Sequence, residues 1–83
     1  MEVIKVPVPI DKQAVYSARY PKGTVIELTA PIKDPYTPKP AEARFKVDYV
    51  DSALQLQGYW LPPEHGSIAV VIEKDSFRII NED

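Results

Sequence analysis

The stretch Ala43-Arg44-Phe45-Lys46-Val47-Asp48-Tyr49-Val50-Asp51-Ser52-Ala53-Leu54-Gln55-Leu56-Gln57-Gly58-Tyr59-Trp60 decides the fold. Phe45, Val47 and Tyr49 alternate with Arg44, Lys46 and Asp48. A period of two puts the first set on the buried face of a half-covered strand. Asp51-Ser52 supplies a tight turn. Leu54 and Leu56 then alternate with Gln55 and Gln57, so the chain returns as the second strand of a hairpin. Gly58 interrupts that strand, which marks a bulge or the close approach of another backbone.

Upstream lies Pro31-Ile32-Lys33-Asp34-Pro35-Tyr36-Thr37-Pro38-Lys39-Pro40, which holds four of the nine prolines. Each proline lacks a donor and fixes φ, so this stretch is a semi-rigid loop, neither helix nor central strand. Before it, Thr24–Thr29 reads as a strand with Ile26 and Leu28 on one face and Val25, Glu27 and Thr29 on the other. Pro21-Lys22-Gly23 is a turn. Asp11 can cap a short helix ending near Tyr20, where Val15 and Arg19, or Tyr16 and Tyr20, share a face. Residues 2–10 alternate Val6, Val8 and Ile10 with Lys5, Pro7 and Pro9, an edge strand or extended arm. That arm is a candidate for pairing with a second copy of the chain.

Downstream of the hairpin, Leu61-Pro62-Pro63-Glu64-His65-Gly66 is a second breaker loop. Ser67–Ile72 is nearly all apolar and suits a strand covered on both faces. Glu73-Lys74-Asp75 turns the chain into a last short strand, Ser76–Ile80, anchored by Phe77 and Ile79, and residues 81–83 form a polar tail. The expected fold is mainly β: a small SH3-like five-stranded barrel with an N-terminal extended arm and one short helix. Residues 1–20 form the arm and helix, packed on a barrel over residues 21–80. Barrel closure would remove the exposed edges of these short strands.

Eighty-three residues allow one domain with a modest core. Without cysteine, neither a disulfide nor a thiolate metal site can support it. No apolar run approaches the length of a membrane span, and the first ten residues lack the pattern of a signal peptide. The expected location is the cytoplasm, with no membrane partner. The net charge of −2 argues against a phosphate-tracking surface as the main activity, although residues 1–41 carry +2 and residues 42–83 carry −4.

Candidate chemistry is sparse. His65 is the single histidine and has no imidazole or thiolate companions, so no metal centre is expected. Ser17, Ser52, Ser67 and Ser76 share that one base and lack an elbow motif. Asp48 and Asp51 flank a turn, where acids are ordinary. Three glycines cannot build a phosphate cradle. No catalytic residue and no cofactor is expected, so the chain reads as a non-enzyme. The aromatics beside the prolines are the candidates instead: Tyr36 and Pro38 in the first loop, Tyr59, Trp60 and Pro62 at the second. Rigid loops and aromatics lose little entropy on binding, which suits an unidentified protein partner. The alternative is a single-stranded nucleic-acid-binding barrel that stacks bases and uses Lys22, Lys33 and Lys39.

Several of these residues also resemble a known family. Tyr20-Pro21-x-Gly23-Thr24, Asp34-Pro35-Tyr36-Thr37-Pro38-x-Pro40, Val50-Asp51, Trp60 and Asp75-Ser76-Phe77 are similar to the small bacterial and phage domain-of-unknown-function family 4314, over roughly residues 19–80. The resemblance implies the SH3-like barrel and a setting in phages or mobile elements. It brings no activity. The family's Pro-Gly-Thr-x-Gly-x-Val run is replaced by Ala41-Glu42-Ala43-Arg44-Phe45-Lys46-Val47, so a turn there is expected to be reshaped. Its Asp-Asn-Gly turn after the tryptophan is replaced by the longer Leu61–Gly66.

Overall fold

The computed structural model describes residues 11–80. The N-terminal arm, with its expected pairing to a second chain, and the tail at residues 81–83 lie outside the described residues. Five strands form one antiparallel sheet: β1 Val25–Leu28, β2 Arg44–Val50, β3 Gln55–Trp60, β4 Val70–Val71 and β5 Phe77–Ile79. Their order is β4-β3-β2-β1-β5. One helix, α1 Lys12–Arg19, precedes them. The described residues are thus mainly β with one short helix.

Asp11 caps α1 by accepting the Ala14 N–H at 3.1 Å, which satisfies one of the four donors left unpaired at a helix start. Arg19 in the last turn complements the helix dipole, and Pro21 prevents continuation. No residue of α1 itself is buried. The helix is fastened by polar contacts: Gln13 donates to the Val50 carbonyl at 3.1 Å, while Lys12 and the Tyr16 hydroxyl both reach Glu73. Tyr20, just past the helix, is buried and meets Phe77 edge-on at 5.6 Å.

In β1 the alternation holds as expected. Ile26 and Leu28 are fully buried, next to Phe45, Val47, Leu56, Trp60 and Val70. Glu27 faces the other way, yet is itself buried, because it lies opposite Arg44 on β2 and Arg78 on β5. Arg78 Nη2 donates to Glu27 Oε1 at 2.6 Å, and Arg44 Nε donates to Oε2 at 3.4 Å. The hydrogen bond from Arg78 holds the carboxyl below its ordinary range against the opposing effect of burial. One carboxylate thus ties three strands across the outer face.

The hairpin follows expectation until Val47. Phe45 pairs with Trp60 and Val47 with Gly58, but the next pair is Tyr49 with Gln57, so Asp48 is an extra residue in β2. An extra residue inverts the parity of everything beyond it. Val50 is therefore the buried residue opposite Leu56, and Tyr49, expected on the core face, is 55% exposed. Gly58 sits where the two strands crowd: a Cβ there would collide with the Lys46 carbonyl oxygen and lie 3.1 Å from the Asp48 nitrogen. Of the two expectations for this glycine, close approach holds at Gly58 itself, while the bulge lies across from it on β2.

The turns depart from the sequence reading in two ways. The hairpin loop has three residues between Asp51 and Gln55, not two, and Leu54 adopts a φ of 60°. Asp51 organises it by accepting from the Ala53, Gln55 and Gln57 nitrogens. Burial alone would push this carboxyl up, but those donors hold it below the ordinary range. The turn Pro40–Ala43 closes with Ala43 N–H donating to the Pro40 carbonyl at 3.2 Å, and Glu42 has a φ of 76°. A glutamate here stands in a backbone conformation that favours glycine. Finally, the apolar run 67–72 yields only a two-residue edge strand in which Val70 is fully buried and Val71 half-buried. Asp75 Oδ2 takes the Val71 N–H at 2.8 Å.

These two backbone positions should respond in opposite directions. Gly58→Ala should destabilise by about 2–3 kcal/mol, since the obstacle is backbone and cannot move aside. Glu42→Gly should stabilise by about 0.5–1 kcal/mol, the relief of left-handed strain less the greater entropy of an unfolded glycine. Denaturant titrations measure both, and a Gly58→Ala variant as stable as the parent would contradict the bulge.

Candidate functional site

The proline loop is a closed structure of its own. Ile32 and Lys39 exchange backbone hydrogen bonds at 2.8 and 3.0 Å, which pinches residues 33–38 into a small ring. Inside it, Asp34 Oδ1 accepts from the Tyr36 N–H at 2.8 Å, the Thr37 N–H at 2.9 Å and the Thr37 hydroxyl at 3.3 Å. This is the Asx-turn chemistry that aspartate favours. The Thr37 and Tyr36 backbone donors hold the Asp34 carboxyl below the ordinary aspartate range. Held this way, Tyr36 stands 89% exposed at the tip, with Pro35 and Pro38 exposed on either side.

The return limb is anchored by a side chain that sequence alone would leave in solvent. Lys39 is buried. Its Nζ donates to the His65 carbonyl at 2.8 Å, lies 3.6 Å from the Glu64 carboxylate and sits 5.4 Å from the centre of the Trp60 ring. The ammonium thus joins the two proline loops, and the tryptophan face supplies part of what water would have supplied. His65 is exposed and contributes its carbonyl; the imidazole takes no part.

The five candidate contact residues do not form one surface. Trp60 is core: it is 3% exposed, packs edge-on against Phe45 at 5.0 Å, and its Nε1 donates to the Ile68 carbonyl at 2.9 Å. Tyr36 and Pro38 lie on the first loop and Pro62 on the second, the two loops joined through Lys39. Tyr59 follows strand alternation to the face opposite Trp60, where it pairs with Lys46. It belongs with Tyr49, which the sequence pattern had placed inside.

Two concavities flank these elements. One, of about 720 Å³, runs between the outgoing limb of the proline loop, including Pro31, Ile32 and Pro35, and the segment from Ile68 to Ser76. The other, of about 610 Å³, lies on the outer face of β2 and β3 around Gly58. Among the described residues no three metal-ligating side chains come together, and no helix is long and apolar enough to cross a membrane. The chain matches no protein-family model, no curated protein and no solved structure.

Removing the anchor should free the loop. Lys39→Ala should cost about 3 kcal/mol, combining a charged hydrogen bond with the ring contact, and Lys39→Met should cost less because its stem still covers Trp60. Equilibrium unfolding of the two variants gives the comparison; a Lys39→Met variant as stable as the parent would mean that the ammonium contributes nothing beyond its stem. The Asp34 bonds carry a pH signature. Because the folded carboxyl titrates below the unfolded one, its contribution is complete above the ordinary aspartate range and is lost as pH falls through the depressed folded value. The Tyr36 and Thr37 amide resonances should therefore shift in acid with a midpoint below that of a free aspartate, and Asp34→Asn should remove the transition.

Proposed function

We propose that this chain is a non-enzymatic protein-interaction module whose contact surface is the proline loop around Tyr36. The observation that carries this reading is the contrast within that loop. Its tip shows a nearly fully exposed tyrosine between prolines, while its base is fixed by the Ile32–Lys39 bridge and the Asp34 turn. Exposed aromatics held in one conformation bind with little loss of entropy. Pro38 stands beside Tyr36, Pro62 lies on the adjoining loop, and the groove along Pro31, Ile32 and Pro35 gives an extended peptide somewhere to lie.

The finer architecture belongs to the same proposal. A long first loop, a hairpin and two short strands, with the order β4-β3-β2-β1-β5, favour an SH3-like barrel curled from this sheet. Membership of the family 4314 type, in the cytoplasm of a host carrying a phage or mobile element, is consistent with the motifs. Asp34 of that motif builds the loop turn, and Asp75 closes the turn into β5. Nucleic acid at the proline loop is less favoured than protein, because Lys39 is committed to the interior.

Affinity capture from a native lysate, with the parent chain and with Tyr36→Ala, tests this reading. Tyr36→Ala should keep its thermal transition within about 0.5 kcal/mol of the parent, as an exposed site does, and should lose the captured partner. Retention of every partner by a folded Tyr36→Ala variant would remove the loop as the contact surface.

A further inference from the structure

The bulge at Asp48 does more than interrupt a ladder. It turns Tyr49 out of the core and sets it beside Gln57, two residues along β3 from Tyr59. Tyr49 and Tyr59 are therefore diagonal neighbours on one face, a relation that places side chains about 7–8 Å apart. They are 55% and 49% exposed and border the same concavity of about 610 Å³, floored by Gly58, where no side chain intrudes. Bulges commonly re-aim a side chain toward a site. Here the re-aimed residue is an aromatic placed next to another aromatic.

Lys22 and Lys46 border the same concavity, against Asp48. Lys22 meets Asp48 at 3.5 Å with both side chains well exposed, an ion pair of little strength that an incoming anion can displace. Lys46 forms no ion pair among the described residues. Of the charged residues bordering the concavity, two are lysines and one is an aspartate, although the chain as a whole is acidic. The face offers two ring platforms in sequence with cations alongside. We infer that this outer face of β2 and β3 binds a short single-stranded nucleic acid, two bases stacking on Tyr49 and Tyr59 and the intervening phosphates meeting Lys22 and Lys46. Stacking is available to any base, so recognition is sequence-tolerant. The surface is separate from the Tyr36 loop, and the inference stands or falls without it.

Fluorescence anisotropy of the full chain with labelled oligo-dT and oligo-U of about twelve nucleotides tests it, each read at about 20 and about 200 mM salt. Binding should be measurable at the lower salt and weaken as salt rises. The two oligomers tell DNA from RNA. Tyr49→Ala and Tyr59→Ala should each weaken binding about tenfold, and Tyr→Phe at either position should restore it. Lys46→Gln should reduce the slope of log K against log salt by about 0.7. Ultraviolet cross-linking of the unmutated chain should label Tyr49 or Tyr59, which decides the matter should an alanine variant unfold. Absence of binding at low salt, cross-links confined to other residues, or binding of a proline-rich peptide in place of either oligomer would each overturn the inference.

Discussion

The contact between the Gly58 backbone and the Lys46 carbonyl governs this structure more than any packed side chain. Only a residue without Cβ can stand there, and the bulge at Asp48 follows from the crowding. Because side chains alternate along a strand, that one extra residue decides which of the following positions face the core. Val50 goes in to meet Leu56, Tyr49 comes out, and Val50 also keeps a free carbonyl for Gln13 of the helix. The docking of α1, the inner end of the core and the outer aromatic face thus share a single backbone cause.

A chain of this length has few apolar side chains to spare, and its charges take on structural work accordingly. Glu27 ties β2, β1 and β5 through two arginines on the outer face. Lys39 bridges two loops on the inner side. Glu73 receives Lys12 and Tyr16, fastening a helix of which Tyr16 is half-buried against the core and no residue is fully buried. Each is a point where chain segments distant in sequence meet through one ionised group with several donors or acceptors. Such groups are costly to bury unless every lone pair or proton is used. Among the described residues no buried side-chain polar atom lacks a partner.

Much of the strand pattern could be read from residue order, because alternation is a local property: β1 and the first half of β2 face as their residues dictate, and Pro21 and Asp11 bound the helix. What was hidden depended on contacts between segments. Tyr49 obeyed the period of two in sequence and broke it in space, since a bulge on β2 is caused by a glycine eleven positions away from Val47 on β3. Lys39 looks like a surface residue until the second loop brings a carbonyl, a carboxylate and a tryptophan face to it. Trp60 could have served a partner or the core, and the Ile68 carbonyl decided for the core. The short β4 was concealed by its own composition, as an apolar run predicts burial without saying whether its amides join a ladder. Glu42 and Leu54 carry backbone angles that their residue types disfavour, so composition gave no warning of those angles or of the extra residue in the hairpin loop.

The pinch between Ile32 and Lys39 separates the first loop into two parts with different freedoms. Below it, Lys39 ties the chain to the second loop through the His65 carbonyl. Above it, residues 33–38 are organised by Asp34, which accepts from Tyr36 and Thr37 of the same segment, and lengthening that segment adds only the slowly growing entropy of a larger ring. The arrangement is that of a rigid handle bearing a replaceable head. The exposed positions among the six tip residues can change while the domain continues to fold, so sequence variation and preserved stability are open to this chain at the same time.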